Sequence, residues 1–172
     1  MRETTLAGAF RFAGEGLCAA FRTQRNFRIH VAVGTLAMEL GIVMGLRRWE
    51  WAVLILAVGE VLTLELINTA VEAVVDLASP GLHRLAKIAK DVVAAAVLVE
   101  ALTAVGVGVV IFGPRLRAMP SALTLYVHAR PFAFGVMVVV WCAVVGIGLA
   151  TGRATSVSNE AEAGPDEPRR RM

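Results

Sequence analysis

The chain is poor in the residues that build metal centres and disulfide frameworks. Only two of its 172 residues are cysteines, Cys18 and Cys142, and both lie in apolar surroundings without the spacing of metal ligands. We expect neither a disulfide nor thiol catalysis from them. The sequence also lacks a zinc pattern, a glycine-rich phosphate loop and an internal repeat. A nucleic-acid partner therefore has no support in the sequence.

Lysine is equally scarce, because Lys87 and Lys90 are the only lysines among seventeen basic residues. Both share one helical face with Asp91 through their spacing of three and four positions. A compact, strongly hydrated ammonium group is therefore indicated at this place, since the chain uses arginine everywhere else. The alternative is a solvated positive anchor at the membrane surface.

Apolar residues, in contrast, are abundant: 57% of the chain is hydrophobic and the mean hydropathy is +0.68. About 20 apolar residues are needed to cross a bilayer, and four segments approach that length: 29–46, 51–67, 92–112 and 132–150. The first three contain glutamate, which favours a packed bundle over isolated spans. The sequence predicts an all-α integral membrane protein. No cleavable signal peptide is visible, and we expect the first span to be retained as an anchor.

The predicted organisation has five parts. Residues 1–28 form an amphipathic interfacial helix, because Phe10, Leu17 and Phe21 recur at helical spacing among arginines. A solvated arm is the alternative. Residues 29–112 form a three-span core, and 113–131 connect it to an extra transmembrane helix at 132–150. Residues 151–172 are polar and predicted to be disordered.

Positive charge predicts the orientation of the spans. Arginines precede the first span, and Arg84, Lys87 and Lys90 lie between the second and third, so both regions are expected in the cytoplasm. The protein is therefore predicted to be a multi-pass protein of the plasma (inner) membrane. The segment after the third span carries Arg115, Arg117 and Arg130, which is more positive charge than an outward loop usually has.

A polar stripe occupies the end of the second span, where residues 65–76 read ELINTAVEAVVD. Glu65, Asn68, Glu72 and Asp76 fall within about 60° of one another on a helix. Ionisable groups are expensive inside a membrane and by default mark a functional site. The stripe is therefore the first candidate for chemistry.

The second candidate is the loop that follows, residues 78–91, in which Pro80 and Gly81 break the helix and a new one begins near His83. Carboxylates with an amide can hold Mg²⁺, and lysine can neutralise phosphates. A further carboxylate can accept a proton from an attacking hydroxyl. Together the two elements contain the parts of a phosphoryl-transfer site, at which a soluble nucleotide meets a lipid alcohol.

These motifs resemble the signature of the small integral-membrane prokaryotic diacylglycerol kinase family, which includes the undecaprenol kinases. The resemblance covers roughly residues 5–112 and rests on 65–76, His83 and 89–98 (AKDVVAAAVL), with 17–21 and 25–30 (RNFRIH) as an N-terminal match. It implies a homotrimer of three-span subunits with an N-terminal surface helix and active sites shared between neighbours at the cytoplasmic interface. It also implies transfer of the γ-phosphoryl group of ATP, with Mg²⁺, to a lipid hydroxyl.

By this resemblance Glu65 matches the general base and Glu72 a ligand of metal and nucleotide, with Asn68 supporting the same polar face. The family's second metal-binding glutamate aligns with Gln24, which brings an amide oxygen without negative charge. We expect Asp76, from its position on the same polar face, to support that face and to cap or orient the loop without touching substrate.

The resemblance also assigns a nucleotide-binding set. Besides Gln24 and Glu72, its members are Phe12, Gly81, Leu82, His83, Lys90 and Asp91.

Undecaprenol is the favoured acceptor, because residues 25–30 and 85–91 look more like the undecaprenol kinase branch than the diacylglycerol branch. The alternative is a diacylglycerol kinase that makes phosphatidic acid. An alternative of another class is a non-catalytic helical-bundle membrane protein, in which the glutamates relay protons or fix helix contacts.

Overall fold

The computed structural model describes residues 5–79, 81 and 83–162, with side chains as far as residue 150. Regular structure in these residues is entirely helical, as predicted. Pro80 and Leu82 lie outside the described residues. The helices are α1 (Leu6–Thr23), α2 (Arg25–Val43), α3 (Arg48–Ala78), α4 (Arg84–Phe112), a 3₁₀ helix (Gly113–Ala118), α5 (Met119–Ala129) and α6 (Pro131–Glu162).

The N-terminal helix ends earlier than the sequence predicted. The amphipathic pattern continues to Phe27, but α1 stops at Thr23 and the chain is extended at Gln24. Arg28 explains the break, because its Nη1 donates to the carbonyls of Phe21 at 3.2 Å and Arg22 at 3.1 Å. Carbonyls in the last turn of a helix have no partner within that helix. The arginine therefore caps α1 from the first turn of α2.

Two glycines let α2 pack closely against α3. A Cβ added to Gly34 would lie 2.8 Å from Val58 Cγ1, and one added to Gly41 would lie 2.9 Å from the Trp51 ring. The connecting turn uses Gly45 at a φ of +62°, a conformation that favours glycine. These pairs make α2 and α3 antiparallel neighbours. Small residues at such contacts are typical of membrane helix packing.

Helices α3 and α4 form the second antiparallel hairpin. At the loop end Lys90 pairs with Asp76, and at the far end Arg115, just beyond α4, pairs with Glu50 in the first turn of α3. The buried cluster of Leu46, Leu54 and Ile111 lies toward this far end. The Glu50 pair neutralises Arg115, one of the three arginines in the segment that the sequence analysis predicted to face outward.

Helix α6 returns along α2. A Cβ added to Gly148 would lie 3.6 Å from Arg28 Cδ, so this end of α6 lies beside the start of α2. The helix continues to Glu162, although the sequence predicted disorder from residue 151; residues 163–172 lie outside the described residues. The predicted connecting segment 113–131 is mostly helical as well.

Three helical segments in the described chain are long and apolar enough to cross a membrane: Arg48–Ala78, Arg84–Ala129 and Pro131–Ala150. The first predicted span, on α2, is not among them. Helix α2 contains Arg28, His30 and Glu39, which need partners on other helices. Leu102 and Val110 on α4 remain more than 60% exposed within the chain. Such a face suits contact with lipid or with other subunits.

Candidate functional site

The polar stripe of α3 forms one wall of a cavity of about 370 Å³ between α2, α3 and α4. Glu65, Asn68 and Glu72 line it from α3, as the helical spacing predicted. Asn26 and His30 line it from α2. We call this space the carboxylate cavity. The packing of α2 on α3 therefore gives the stripe a polar partner that α3 alone does not have.

Glu65 is the most deeply buried acid of the cavity, with 2% of the residue exposed. His30 Nε2 lies 3.3 Å from its Oε1, close enough for an ion pair. Glu65 Oε1 accepts no hydrogen bond from the described residues. Buried polar atoms are normally satisfied, so this oxygen is a candidate for direct contact with substrate.

Glu72 lies one helical turn beyond Asn68 and is oriented by it. The Asn68 amide donates to Glu72 Oε1 at 3.0 Å. Asn68 Oδ1 is itself buried and accepts no hydrogen bond from the described residues. Carboxylate and amide oxygens are ligands that suit Mg²⁺. Within the described residues no group of three or more His, Cys, Asp or Glu side chains is arranged for a metal, but Asn68 and Glu72 supply oxygen donors of the right kind.

A second cavity, of about 590 Å³, lies at the connection between α3 and α4, and we call it the loop cavity. Lys90 pairs with Asp76 and Lys87 pairs with Asp91 around it. Gly81 also lines this cavity. The predicted grouping of both lysines with Asp91 is therefore present.

His83 lines the loop cavity and starts α4. Its Nδ1 accepts a hydrogen bond from the Leu85 amide at 3.2 Å, which makes it the N-cap of α4. The sequence predicted a helix that begins near this residue, and the structure agrees. Because Nδ1 accepts the capping hydrogen bond, His83 has a structural role that needs no ligand.

The structure divides the predicted stripe. Glu65, Asn68 and Glu72 face the carboxylate cavity, whereas Asp76 lines the loop cavity beside Lys90. The four residues were predicted to share one face, but Lys90 on α4 determines where Asp76 pairs. One helical turn, about 6 Å of rise, separates Glu72 from Asp76. The two cavities are therefore neighbours along α3.

Two residues that were predicted to belong to the site, Phe12 and Gln24, do not reach these cavities within one chain. Phe12 is about half exposed on α1, with the Arg11 guanidinium 5.0 Å from its ring centre. Gln24 is the residue between α1 and α2, where its backbone N–H donates to the Ala20 carbonyl at 2.8 Å. Neither residue lines the carboxylate cavity or the loop cavity.

Sequence reasoning missed Asn26 and His30 as site residues, although it used residues 25–30 as a motif. A signal was present, because the two polar residues stand four positions apart at the entrance to an apolar helix. The sequence did not indicate which residues on other helices these two side chains would contact. Only the packing of α2 against α3 assigns His30 to Glu65.

Comparison with known proteins gives consistent matches. Residues 11–112 match the family model of prokaryotic diacylglycerol kinase. The undecaprenol kinase of Bacillus subtilis is 41% identical over 108 residues, which are 63% of this chain and 88% of that protein. The diacylglycerol kinase of Synechocystis sp. is 46% identical over 112 residues, 64% of each chain. The diacylglycerol kinase of Haemophilus influenzae is 34% identical over 104 residues, 60% of this chain and 87% of that protein.

No solved structure matches the chain. The family match ends at Phe112, so the 3₁₀ helix, α5 and α6 lie beyond it. It nevertheless includes both cavities and all of α2, α3 and α4, the three helices that line them. The chain belongs to the prokaryotic diacylglycerol kinase family of integral-membrane lipid kinases.

Proposed function

We propose that this lipid kinase transfers the γ-phosphoryl group of ATP to undecaprenol with the help of Mg²⁺. The observation that carries the proposal is the buried Glu65 carboxylate, whose Oε1 has His30 at 3.3 Å and faces the carboxylate cavity. A general base must lie within reach of the proton that it removes. A lipid hydroxyl in this cavity would meet that condition.

The reaction follows from the two cavities. The lipid hydroxyl oxygen attacks the γ-phosphorus, its proton passes to Glu65, and the bond from the γ-phosphorus to the bridging oxygen breaks as ADP leaves. His30 positions Glu65 from α2. Lys90 and the α4 end of the loop cavity provide positive charge for the nucleotide phosphates, with Asp91, Gly81 and His83 around them.

Glu72 and Asn68, together with Gln24, would hold Mg²⁺. When bound, the ion neutralises charge that develops on the transferred phosphate. Asn68 Oδ1 supports this assignment, because it is buried without a hydrogen-bond partner among the described residues. Gln24 brings no charge, so these residues provide one carboxylate rather than two.

We propose a homotrimer in the plasma membrane with its sites on the cytoplasmic side. Phe12 and Gln24 do not reach either cavity within one chain, which supports completion of each site by the α1 region of a neighbour. The exposed apolar face of α4 offers a surface for subunit contact. The basic residues around the α1–α2 junction and the loop cavity support the orientation.

Diacylglycerol is the second candidate acceptor, since the Synechocystis and Haemophilus relatives are named for it. Undecaprenol is preferred because the Bacillus relative combines 41% identity with a match over 88% of its length, and because residues 25–30 look like that branch. Both acceptors require the same base and the same nucleotide site.

The test is a side-by-side assay of undecaprenol and diacylglycerol with radiolabelled ATP and Mg²⁺. We expect labelled undecaprenyl phosphate in excess over phosphatidic acid. Glu65→Gln should reduce transfer about 1,000-fold, within the range of general base catalysis. Glu60→Gln is the matched control, because Glu60 lies on the same helix but lines neither cavity. Full activity of Glu65→Gln would contradict the mechanism, and preference for diacylglycerol would overturn the acceptor.

A further inference from the structure

An apolar groove of about 250 Å³ lies between α2, α3 and α4. Small and aliphatic side chains make up most of its lining, including Ala37, Val61 and Ala104. His30 lines one end and also lines the carboxylate cavity. The groove and that cavity therefore meet at the side chain that lies 3.3 Å from Glu65.

The opposite end of the groove leads into the protein core. Leu54 lines it there and belongs to the buried cluster with Leu46 and Ile111, against which Phe112 packs. Along α2 the lining extends from His30 to Leu40, a rise of about 15 Å at 1.5 Å per residue. The groove thus has a polar end at Glu65 and an apolar end in the core.

We propose that this groove binds the hydrocarbon tail of the lipid acceptor, so that the hydroxyl lies at Glu65. The inference rests on the proposed lipid kinase function and adds the residues that recognise the tail. Continuity through His30 favours this occupant, because a single molecule with a polar head and an apolar tail spans both spaces. With a lining about 15 Å long on α2, the groove has room for a tail longer than a few carbon atoms.

The groove acts mainly by orientation. A tail that moves from the bilayer into the groove exchanges one apolar environment for another, so the hydrophobic effect contributes little. Holding the first part of the tail instead restricts the hydroxyl to the side of Glu65, and such positioning accelerates reactions. The rate should therefore increase with tail length and level off once the groove is full.

Gly108 allows a direct test. It lines the groove from α4, and an added Cβ would meet no atom within 4 Å, so a larger side chain enters open space. We expect Gly108→Leu to lower kcat/KM for farnesol about tenfold. Activity toward prenol, whose tail is too short to fill the groove, should change less than twofold. The melting temperature in detergent reports whether the variant is folded.

Gly106→Leu is the matched control. Gly106 lies on the same helix, its added Cβ also meets no atom within 4 Å, and it does not line the groove. We expect it to keep the wild-type dependence on tail length. The proposal is overturned by three results: equal losses with farnesol and prenol in Gly108→Leu, no loss with either, or the same farnesol-specific loss in Gly106→Leu.

Measuring the oligomeric state distinguishes a lipid tail in the groove from a second copy of the chain. A change of assembly mass in Gly108→Leu without a dependence on tail length would assign the groove to a second copy of the chain and overturn the proposal. Failure of the proposed function looks different, because the wild-type protein would then transfer phosphate to neither alcohol. A wild-type protein that is active but insensitive to tail length would contradict the groove alone.

Discussion

Two glutamates on α3 are buried to the same degree but have opposite surroundings. Glu50 is 4% exposed and Glu65 is 2% exposed. Arg115 Nη2 donates to both oxygens of Glu50, at 2.7 and 2.9 Å, and the Arg47 amide donates to Oε2 at 2.7 Å. Glu65 Oε1 lies 3.3 Å from His30 Nε2 and accepts no hydrogen bond from the described residues.

The difference distinguishes a glutamate with a structural role from a candidate catalytic glutamate on the same helix. Both oxygens of Glu50 accept hydrogen bonds, and through them Glu50 joins the start of α3 to the segment after α4. Glu65 keeps an oxygen available beside a cavity, at a cost in stability that a purely structural residue would not carry. Burial alone therefore does not identify a catalytic acid. Unsatisfied hydrogen-bonding capacity next to a cavity is the more informative signal.

The largest expected effect comes from replacing each of the two glutamates by glutamine, because one substitution should affect catalysis and the other stability. Glu65→Gln should lose about 1,000-fold in kcat and keep the wild-type melting temperature. Glu50→Gln should keep the kcat of the folded protein and lower the melting temperature by about 5 °C, because it weakens the bonds to Arg115. Activity assays and thermal unfolding in detergent check both. Loss of catalysis in a stable Glu50→Gln protein would break the comparison.

A smaller effect distinguishes the two lysines of the loop cavity. Lys90→Met should raise the KM for ATP about tenfold, since a charge-assisted contact to phosphate is removed. Lys87→Met is the control, because Lys87 is 77% exposed and pairs with Asp91 within one helix. We expect less than a twofold change for it. Equal increases of KM in the two variants would show that only general positive charge is needed.

The smallest expected effect concerns the missing carboxylate. Gln24→Glu should lower the Mg²⁺ concentration for half-maximal activity about threefold, because a charged ligand replaces an amide. Thr23→Glu adds the same charge one position earlier and should leave this concentration unchanged. An identical shift in both variants would indicate a general surface-charge effect. No shift in Gln24→Glu would remove Gln24 from the metal site.

Much of the fold follows from local sequence. The helix start at His83, the end of α3 before Gly81 and the polar face of Glu65, Asn68 and Glu72 were all predicted, because capping, helix breaking and helical periodicity act over a few residues. The end of α1 was not predicted. It depends on Arg28, whose side chain reaches back to carbonyls six and seven residues earlier.

The sequence by itself determined the family, the helical membrane architecture and the acidic stripe that contains the candidate base. Only the tertiary structure showed that His30 pairs with Glu65 and that Asp76 pairs with Lys90. It also showed that the apolar groove meets the carboxylate cavity at His30. The physical reason is the range of the interactions. Periodicity and composition are properties of one helix, whereas each of these contacts depends on which face of a second helix packs against it.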